Sequence, residues 1–323
     1  MIILFKFRGI AFVFHKLYNI FIKNTIGILK DGKKMKNKRK VIIDCDLSHD
    51  DAFALMLGIQ HLDVLGITTA GGSCGLEKVT NNALKILEVI ERTDIPVYPG
   101  HAMDFIIETL KSTDNVTLMP TGPLTNIASA LNKAPEIANK IKEICLMGGA
   151  VTSENWTLAA ELNIFMDPEA AHRVFNSGIP LKMAGINFTR QCAVFVTHRD
   201  QILKIPTRTA KFAAELINFF MDASKAASLP AATLHDACAA AWLIRPELVI
   251  SAPMHITVEL EGEYTRGMTV RDYCNLRCKT PEIDLNNQQT MYYYGKIPNA
   301  ESALRLDFPG FWDLLCETLR NYP

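Results

Sequence analysis

The sequence predicts an α/β protein, a single domain with an open, doubly wound and mostly parallel sheet flanked by helices. Two observations support this fold class. Short runs of β-branched and apolar residues alternate with longer segments of helical periodicity, without an internal repeat. Acidic and other polar residues recur directly after the strand-like runs, and the carboxyl ends of parallel strands form the ligand-binding edge of such a sheet.

The elements follow from the hydrophobic pattern taken in chain order. The run Val41-Ile42-Ile43 predicts the first strand, and Phe53, Leu55, Met56 and Ile59 recur at helical spacing in the segment that follows. By the same criteria, strands are predicted at residues 41–44, 64–69, 116–119, 141–147, 180–186, 255–260 and 302–307. Helices are predicted at residues 51–62, 76–92, 124–131, 168–177, 235–243 and 311–319.

Composition limits the range of functions. The chain has 323 residues, of which 49% are hydrophobic, enough for a sizeable core. Lys and Arg balance Asp and Glu at 34 each, so the formal net charge is zero and a nucleic-acid partner is not expected. The 8 cysteines stand mostly in apolar runs and are interpreted as reduced thiols of a cytoplasmic protein. Burial is also favoured over metal binding for Cys274 and Cys278, since no second ligand pair accompanies them.

Residues 1–40 differ in composition from residues 41–323. The first 30 residues are apolar but interrupted by basic residues, so no stretch is long enough to span a bilayer, and residues 31–40 form a basic linker. Lys16, Lys23 and Lys30 would lie on one helical face, as in a segment that contacts a membrane surface. We favour a start of translation at Met35 over that membrane contact.

Four carboxylates lie close together directly after the first strand. The sequence Asp44-Cys45-Asp46-Leu47-Ser48-His49-Asp50-Asp51 places them within eight positions. So much negative charge in one turn is costly unless a cation lies among the oxygens. Hard divalent cations such as calcium or magnesium prefer all-oxygen sites of this kind. The turn therefore predicts a metal site.

Three later loops carry polar residues at the same predicted sheet edge. The first is the turn Pro120-Thr121-Gly122-Pro123, in which the Thr121 carbonyl can face the same metal. The second is the segment after Met147-Gly148-Gly149, with Asn155, Glu161 and Asn163. The third is the step His235-Asp236 at the start of a helix. Because parallel strands end at one edge, we expect these groups to converge.

These four motifs, in this order, resemble the inosine-uridine preferring nucleoside hydrolases. The resemblance is carried by DCDLSHDDA, PTGPLTNIA, MGGAVTSENWTLAAELNIFMDPEAA and LHDACA, and it extends from about Val41 to the FPGFWDLL segment. It implies hydrolysis of the N-glycosidic bond of ribonucleosides, with bound Ca²⁺ and a homodimer or homotetramer.

The resemblance assigns roles to residues. It implies that calcium is held by hard oxygen donors, namely Asp46, Asp51, the backbone carbonyl of Thr121, and Asp236. It implies that the ribose hydroxyls are bound by Asp50, Asn155, Glu161 and Asn163, with Asp236 next to them. Asp46 is the expected base toward the attacking water, and His235 the expected acid toward the leaving base. Asp44 is expected to brace the turn.

The chain also departs from the family pattern. Leu47 and Ser48 replace the usual Pro-Gly, Asn187 stands where an aspartate is common, and His49 replaces an apolar residue and is expected at the surface of the turn. Tyr98-Pro99-Gly100 runs directly into His101, so a long loop that helps to cover the base in relatives is absent. An open base pocket would weaken closure over the substrate.

Two functions from different classes follow. The first is a working ribonucleoside hydrolase with an open base pocket, favoured because every expected metal and ribose position is retained. The second is a weak or inactive nucleoside- or ribose-binding relative. A phosphohydrolase with Asp44 as nucleophile fits poorly, since it would not require the Asn155, Glu161 and Asn163 set.

Overall fold

The computed structural model describes residues 38–72, 74–99, 102–153, 155–272 and 297–323. Within them the strands are β1 (Lys40–Cys45), β2 (Asp63–Thr69), β3 (Val97–Pro99), β4 (Val116–Pro120), β5 (Ile141–Met147), β6 (Leu181–Ala184), β7 (Ala193–Val194), β8 (Ala232–Thr233), β9 (Val249–Met254), β10 (Ile256–Val258), β11 (Thr269–Arg271) and β12 (Ala300–Leu306). An eight-stranded sheet has the order β3-β2-β1-β4-β5-β6-β12-β9. Its neighbours pair in parallel, except that β9 runs antiparallel to β12.

Helices cover both faces of this sheet. They are α1 (Asp51–His61), α2 (Leu76–Val89), α3 (Ala102–Ser112), α4 (Thr125–Lys133), α5 (Leu162–Met166), α6 (Pro168–Phe175), α7 (Ile186–Thr189), α8 (Val196–Ile202), α9 (Arg208–Ala226), α10 (His235–Ile244) and α11 (Phe308–Arg320). Successive strand residues point to opposite faces. Accordingly Ile43 and Met119 belong to one buried cluster, with α1 and α10, whereas Ile42 and Leu118 belong to a second one, with α3 and α4.

The strand order reverses between β1 and β4. From β1 the chain proceeds outward through β2 to β3, and from β4 it proceeds the other way through β5 to β6. The helices after these two strands, α1 and α4, pack on opposite faces, so a crevice opens at their carboxyl ends. Asp44 on β1 pairs with Pro120 on β4. The acidic turn and the Thr121 turn therefore lie side by side at the position where such folds bind ligands.

Helices α1 and α10 lie in the interior and pack against each other. Residues 51–59 of α1 and residues 236–243 of α10 are all buried. A helix that is apolar on every side requires protein around it, and the small residues Ala237, Ala239, Ala240 and Ala241 allow a close approach. This packing brings the amino-terminal ends of both helices, and with them Asp50, Asp51, His235 and Asp236, to the crevice.

The predicted fold class is confirmed, and most predicted elements are present with small shifts at their ends. The strand predicted at residues 180–186 ends at Ala184, because Ile186 begins the short helix α7. The strand predicted at residues 255–260 is β10, which pairs with β11 outside the central sheet. The edge of that sheet is instead β9, where Pro253 is tolerated because an edge strand needs fewer ladder donors. The 19-residue helix α9 was not predicted.

The thiols agree with the interpretation from sequence. Cys45, Cys74, Cys145, Cys192, Cys238 and Cys316 are free, and all but Cys74 are buried. Cys274, Cys278 and residues 1–30, for which an amphipathic segment was considered and not favoured, lie outside the described residues. In the part of the chain that is described, each helix is too short or too polar to cross a membrane. Residues Arg39–Pro323 form one compact unit.

Candidate active site

The four carboxylates of the acidic turn are buried in the crevice. Asp44, Asp46, Asp50 and Asp51 are between 0% and 5% exposed. Asp236, from the amino terminus of α10, is 4% exposed. Burial, followed by the charges of neighbouring carboxylates, raises the pKa of Asp51 and of Asp236 well above the ordinary range. The crevice therefore has a strong requirement for positive charge.

Asp44 braces the turn, as expected. Its Oδ1 accepts hydrogen bonds from Thr68 Oγ1 at 2.6 Å and from Asn126 Nδ2 at 2.8 Å. Its Oδ2 is buried without a hydrogen-bond partner. Burial raises the pKa of Asp44 to about 6, although the two hydrogen bonds act in the opposite direction. Asp44 thus ties β1 to β2 and to α4 while leaving one acceptor atom unused in the acidic cluster.

Asp46 lies between two glycines of neighbouring loops. A Cβ added to Gly72 would lie 2.8 Å from the Cβ and Cγ of Asp46, and one added to Gly122 would lie 2.9 Å from its Cβ. Real Cβ atoms do not approach other atoms so closely, so both positions require glycine. The sequence indicated the Gly122 turn but did not reveal that the two glycines enclose this carboxylate.

Asp50 joins the acidic turn to α10. Its Oδ2 accepts from the backbone N–H of His235 at 2.9 Å and of Asp236 at 3.3 Å, and its Oδ1 accepts from Ser48 Oγ at 2.5 Å. Free N–H groups at a helix amino terminus stabilise a carboxylate both by hydrogen bonding and through the helix dipole. Asp50 therefore has a fixed orientation.

Asp51 is fixed by the acidic turn on one side and by the Thr121 turn, directly after β4, on the other. Its Oδ2 accepts from the Ser48 N–H at 2.8 Å, and its Oδ1 accepts from Thr121 Oγ1 at 2.5 Å. Leu47 has a φ of 37°, the left-handed region that is costly for a leucine. The turn thus forms without the family's Pro-Gly.

Glu161 and Asn163 reach the crevice from the amino-terminal end of α5. The Asn163 amide donates to the carbonyl of Thr121 at 3.0 Å and to that of Met147 at 3.1 Å. Glu161 is the N-cap of α5 and accepts from the N–H groups of Gly149, Asn163 and Ile164. Burial raises the pKa of Glu161 to about 7 despite these three donors.

Asn155 lies at the rim rather than in the buried cluster. It is exposed, and its Oδ1 accepts from the Leu162 N–H at 3.1 Å, one residue from Glu161. Asn155 is therefore attached to the same loop but is not in hydrogen-bond contact with the carboxylates. Of the nine predicted site residues, it is the one that remains on the surface.

His235 is partly buried behind Asp50. Its Nδ1 is 2.8 Å from Thr189 Oγ1, a partner in the GINFT segment that the sequence did not single out. Burial lowers the pKa of His235, and the charge of Arg190 acts in the same direction, whereas Asp50 opposes it. The imidazole is therefore predominantly neutral near pH 7.

Asn187 accounts for one departure from the family pattern. Its Oδ1 accepts from the Val151 N–H at 2.8 Å, and its Nδ2 donates to the Ala303 carbonyl at 3.3 Å. A carboxylate could make the first bond but not the second. The asparagine thus joins the loop after β5 to β12, a structural role.

The oxygen donors fit a hard divalent cation. In the described ranges, no three His, Cys, Asp or Glu side chains stand as a ready-made metal cluster. One of the expected ligands is a backbone carbonyl, and both carboxylate oxygens of Asp51 accept hydrogen bonds, from Ser48 and from Thr121. The several buried carboxylates and the unused Asp44 Oδ2 suit an ion that prefers oxygen ligands.

Comparison with known proteins identifies the family. The profile of the inosine-uridine preferring nucleoside hydrolases matches residues 41–102 and 99–313. The chain is 36% identical to the pyrimidine-specific ribonucleoside hydrolase RihA of Escherichia coli, over 87% of this chain and 98% of that protein.

Solved structures give the same result. A purine-preferring ribonucleoside hydrolase from Gardnerella vaginalis superimposes with a TM-score of 0.75 at 28% identity, over 87% of this chain and 98% of that one. A plant nucleoside hydrolase gives a TM-score of 0.76 at 26% identity, over 88% and 99%.

The fold and the comparisons define the class of this protein, which is a hydrolase that acts on N-glycosyl bonds. More particularly, the chain belongs to the family of inosine-uridine preferring nucleoside hydrolases. Members of that family act on small-molecule nucleosides and use a metal ion. The predicted family and enzyme class are thereby confirmed.

Proposed function

We propose that the chain hydrolyses ribonucleosides to ribose and free base with Ca²⁺ as its cofactor, and that Asp46, Asp51, Asp236 and the Thr121 carbonyl hold the ion. The observation that carries this proposal is the burial of these carboxylates together at the point where the strand order reverses. Bound calcium would supply positive charge that orients a water molecule and makes it more acidic.

The remaining roles follow from the chemistry of the residues. Asp46 accepts a proton from the attacking water, and Asp50, Asn155, Glu161 and Asn163 bind the ribose hydroxyls. Positive charge develops on the sugar as the N-glycosidic bond breaks, and the negative charge of the nearby carboxylates favours it. In its protonated form His235 can donate from Nδ1 to Thr189 Oγ1, and it can transfer the proton on Nε2 to the leaving base and become neutral.

Replacement of Asp46 tests this proposal. Asp46→Ala should lower kcat/KM by roughly 1,000-fold, because it removes both a metal ligand and the base. Asp63→Ala, at an exposed carboxylate on β2, is the matched control and should behave like the wild type. Rates are measured with inosine, uridine and a chromogenic ribonucleoside, and calcium content by atomic emission. A rate for Asp46→Ala close to that of the wild type would refute its assigned role.

A catalytically weak or inactive nucleoside-binding relative is the second candidate. The observation in its favour is that the family match breaks and resumes at residues 99–102. The sequence analysis predicts that the long loop of relatives is absent at this place. An uncovered pocket admits water and loses closure over the base. Bound calcium and nucleoside without turnover of any of the three substrates would favour this candidate.

Assembly and location remain proposals from the sequence. We propose a homodimer or homotetramer in the cytoplasm, with no nucleic-acid partner. The assembly is what the resemblance to the family implies. The zero net charge supports the absence of a nucleic-acid partner, and the free thiols among the described cysteines support the location. Analytical ultracentrifugation of the purified full chain measures the number of subunits, and a monomer would contradict the proposed assembly.

A further inference from the structure

The hydroxyl group of Thr189 contacts the imidazole ring of His235. Thr189 is the last residue of α7, and its Oγ1 lies 2.8 Å from His235 Nδ1. Thr189 is 0% exposed, so water has no access from which to replace this hydroxyl at the ring. A hydrogen bond shielded from water therefore connects α7 to the first residue of α10.

Backbone hydrogen bonds hold the two segments beside each other. Strand β7 pairs antiparallel with β8, which ends directly before α10. The Leu234 N–H donates to the carbonyl of Cys192 at 3.1 Å, so the contact between the two segments continues toward α10. The Cys192 N–H in turn donates to the Thr189 carbonyl at 2.9 Å. The place of Thr189 next to His235 is thus set by the main chain on both sides.

The main chain of His235 is held separately from its ring. Its N–H donates to Asp50 Oδ2 at 2.9 Å, which fixes the start of α10. That bond does not restrict rotation about the side-chain bonds of His235, whereas the hydroxyl of Thr189 does, because it holds Nδ1. The two ring nitrogens point in different directions, so a ring held at Nδ1 presents Nε2 away from α7.

A hydroxyl group suits a ring that gives up a proton. Protonated His235 donates from Nδ1 to Thr189 Oγ1. The leaving base gains the proton that Nε2 loses, and the neutral ring keeps its other proton on Nδ1, so the same hydrogen bond remains. Nε2 then takes a proton from water, and the ring is ready for the next substrate. The ring does not have to turn at any of these steps.

We infer that Thr189 is a positioning residue that acts through His235, because it holds Nδ1 and so directs Nε2 to the leaving base. The observations that carry this inference are the buried contact of 2.8 Å and the backbone pairing beside it. The inference rests on the proposed function and deepens it, since it gives the proposed acid a partner. The effect of Thr189 is confined to leaving groups that need a proton.

Substrates that differ in this need test the role of Thr189. Inosine and uridine release bases that depart more easily when protonated, whereas para-nitrophenyl β-D-ribofuranoside releases a stable phenolate that needs no proton. Thr189→Val replaces the hydroxyl with a methyl group. It should lower kcat for inosine and uridine by roughly 10- to 100-fold, a part of the usual contribution of a general acid. KM, and kcat for the nitrophenyl riboside, should stay within twofold of the wild type.

Further variants separate the hydroxyl from the rest of the side chain. Thr189→Ser keeps the hydroxyl and should retain most of the activity with every substrate. Thr189→Ala lacks it and should show the same selectivity as Thr189→Val, so the inference remains testable if valine prevents folding. His235→Ala should lose the hydrolysis of inosine and uridine selectively, and adding Thr189→Val to it should cause no further loss.

Thr318 provides the matched control. Like Thr189, it is 0% exposed, and its Oγ1 contacts a histidine ring, at 2.8 Å from His61 Nε2. His61 is the last residue of α1, whereas the acidic turn lies before the first residue of that helix. Thr318→Val thus removes an equivalent buried contact away from the crevice. Its kcat should stay within twofold of the wild type for all three substrates, with circular dichroism as the check that each variant is folded.

Three results would overturn the inference alone, provided that the wild type is active and His235→Ala shows its selective loss. They are an equal loss with all three substrates in Thr189→Val, no loss with any of them, and a further loss when Thr189→Val is added to His235→Ala. A wild type that hydrolyses none of the substrates would instead overturn the proposed function, and His235→Ala with wild-type rates would overturn the proposed acid. The inference would fail with either.

Discussion

At the scale of single residues, the acidic turn combines backbone strain with close packing. Leu47 adopts a φ of 37°, and the left-handed conformation costs a residue other than glycine about 1–2 kcal/mol. The same side chain is 2% exposed and packs in the main core, which offsets part of that cost. Strain that surrounding structure holds in place is common where functional groups must be fixed. Leucine can thus replace the Pro-Gly of relatives.

The glycines around Asp46 allow a prediction about the effect of one added methyl group. Gly72→Ala should lower kcat/KM by roughly 100-fold, because its new methyl group displaces the carboxylate and small displacements at a reacting centre are costly. Gly71→Ala is the matched control, since a Cβ there meets nothing within 4 Å. Steady-state kinetics with inosine and uridine measure both variants. Equal kinetics for the two would mean that the Asp46 position is not critical.

The chemical types of the site residues could be predicted from sequence, but their contacts could not. Four motifs that carry acidic or amide side chains were sufficient to predict a metal site and a sugar-binding site. The contacts of Asp44 with Asn126 and of His235 with Thr189 span 82 and 46 residues. Such pairs carry no local signal, because only the folded chain brings them together.

At the scale of elements, helix termini hold the site in place. Asp50 receives the first N–H groups of α10, and Glu161 receives those of α5. Asp167 caps the next helix, α6, by accepting from the Ala170 N–H at 3.0 Å. Glu161 and Asp167 thus make the same type of cap, but only Glu161 lies in the crevice.

This pair allows stability to be separated from activity. Glu161→Ala and Asp167→Ala should each lower the free energy of unfolding by about 1–2 kcal/mol, the usual cost of losing an N-cap. Only Glu161→Ala should abolish hydrolysis, since it also removes charge next to the sugar. Urea denaturation and inosine hydrolysis measure the two properties.

Glu161→Gln sharpens the comparison. Its amide oxygen can still accept from the α5 backbone, so more of the stability should be retained than in Glu161→Ala, whereas activity should remain low. Full activity in Glu161→Gln would show that the charge of Glu161 is not needed.

Elements with a simple period were predictable, and others were not. The apolar run at the end of β5 and the buried run of α1 are readable because their environments are uniform along their length. Helix α9 combines buried Ala210, Ala213 and Ile217 with an exposed Phe219, and β9 contains Pro253. Whether such segments form a helix or a strand is decided by the neighbours against which they pack.

At the scale of the whole molecule, buried acids make stability depend on pH and metal. The pKa of Asp44 is raised to about 6 and that of Glu161 to about 7, chiefly by burial. Both values exceed those of an unfolded chain, near 4. The folded protein therefore binds more protons than the unfolded chain between about pH 4 and 7, so metal-free stability falls as pH rises through this window.

Thermal unfolding in EDTA and in calcium chloride tests this expectation. Near neutral pH, the raised pKa of Asp44 and that of Glu161 each lower the free energy of unfolding of the metal-free protein by on the order of 3 kcal/mol. Calcium favours the ionised carboxylates, so the gain in Tm on adding calcium should be larger at pH 7.5 than at pH 5. Equal gains at the two pH values would contradict a calcium site among these acids.

The sequence by itself determined the fold class, the family and the residue types of the site, because periodicity and motif order are properties of neighbours along the chain. Tertiary structure decided which of those residues meet. The reversal of strand order between β1 and β4 and the packing of α1 against α10 bring Asp50, Asp51 and Asp236 into one crevice. A cavity beside His49 and Phe219 likewise exists only after α9 has packed near α2, since these two residues are 170 positions apart in sequence.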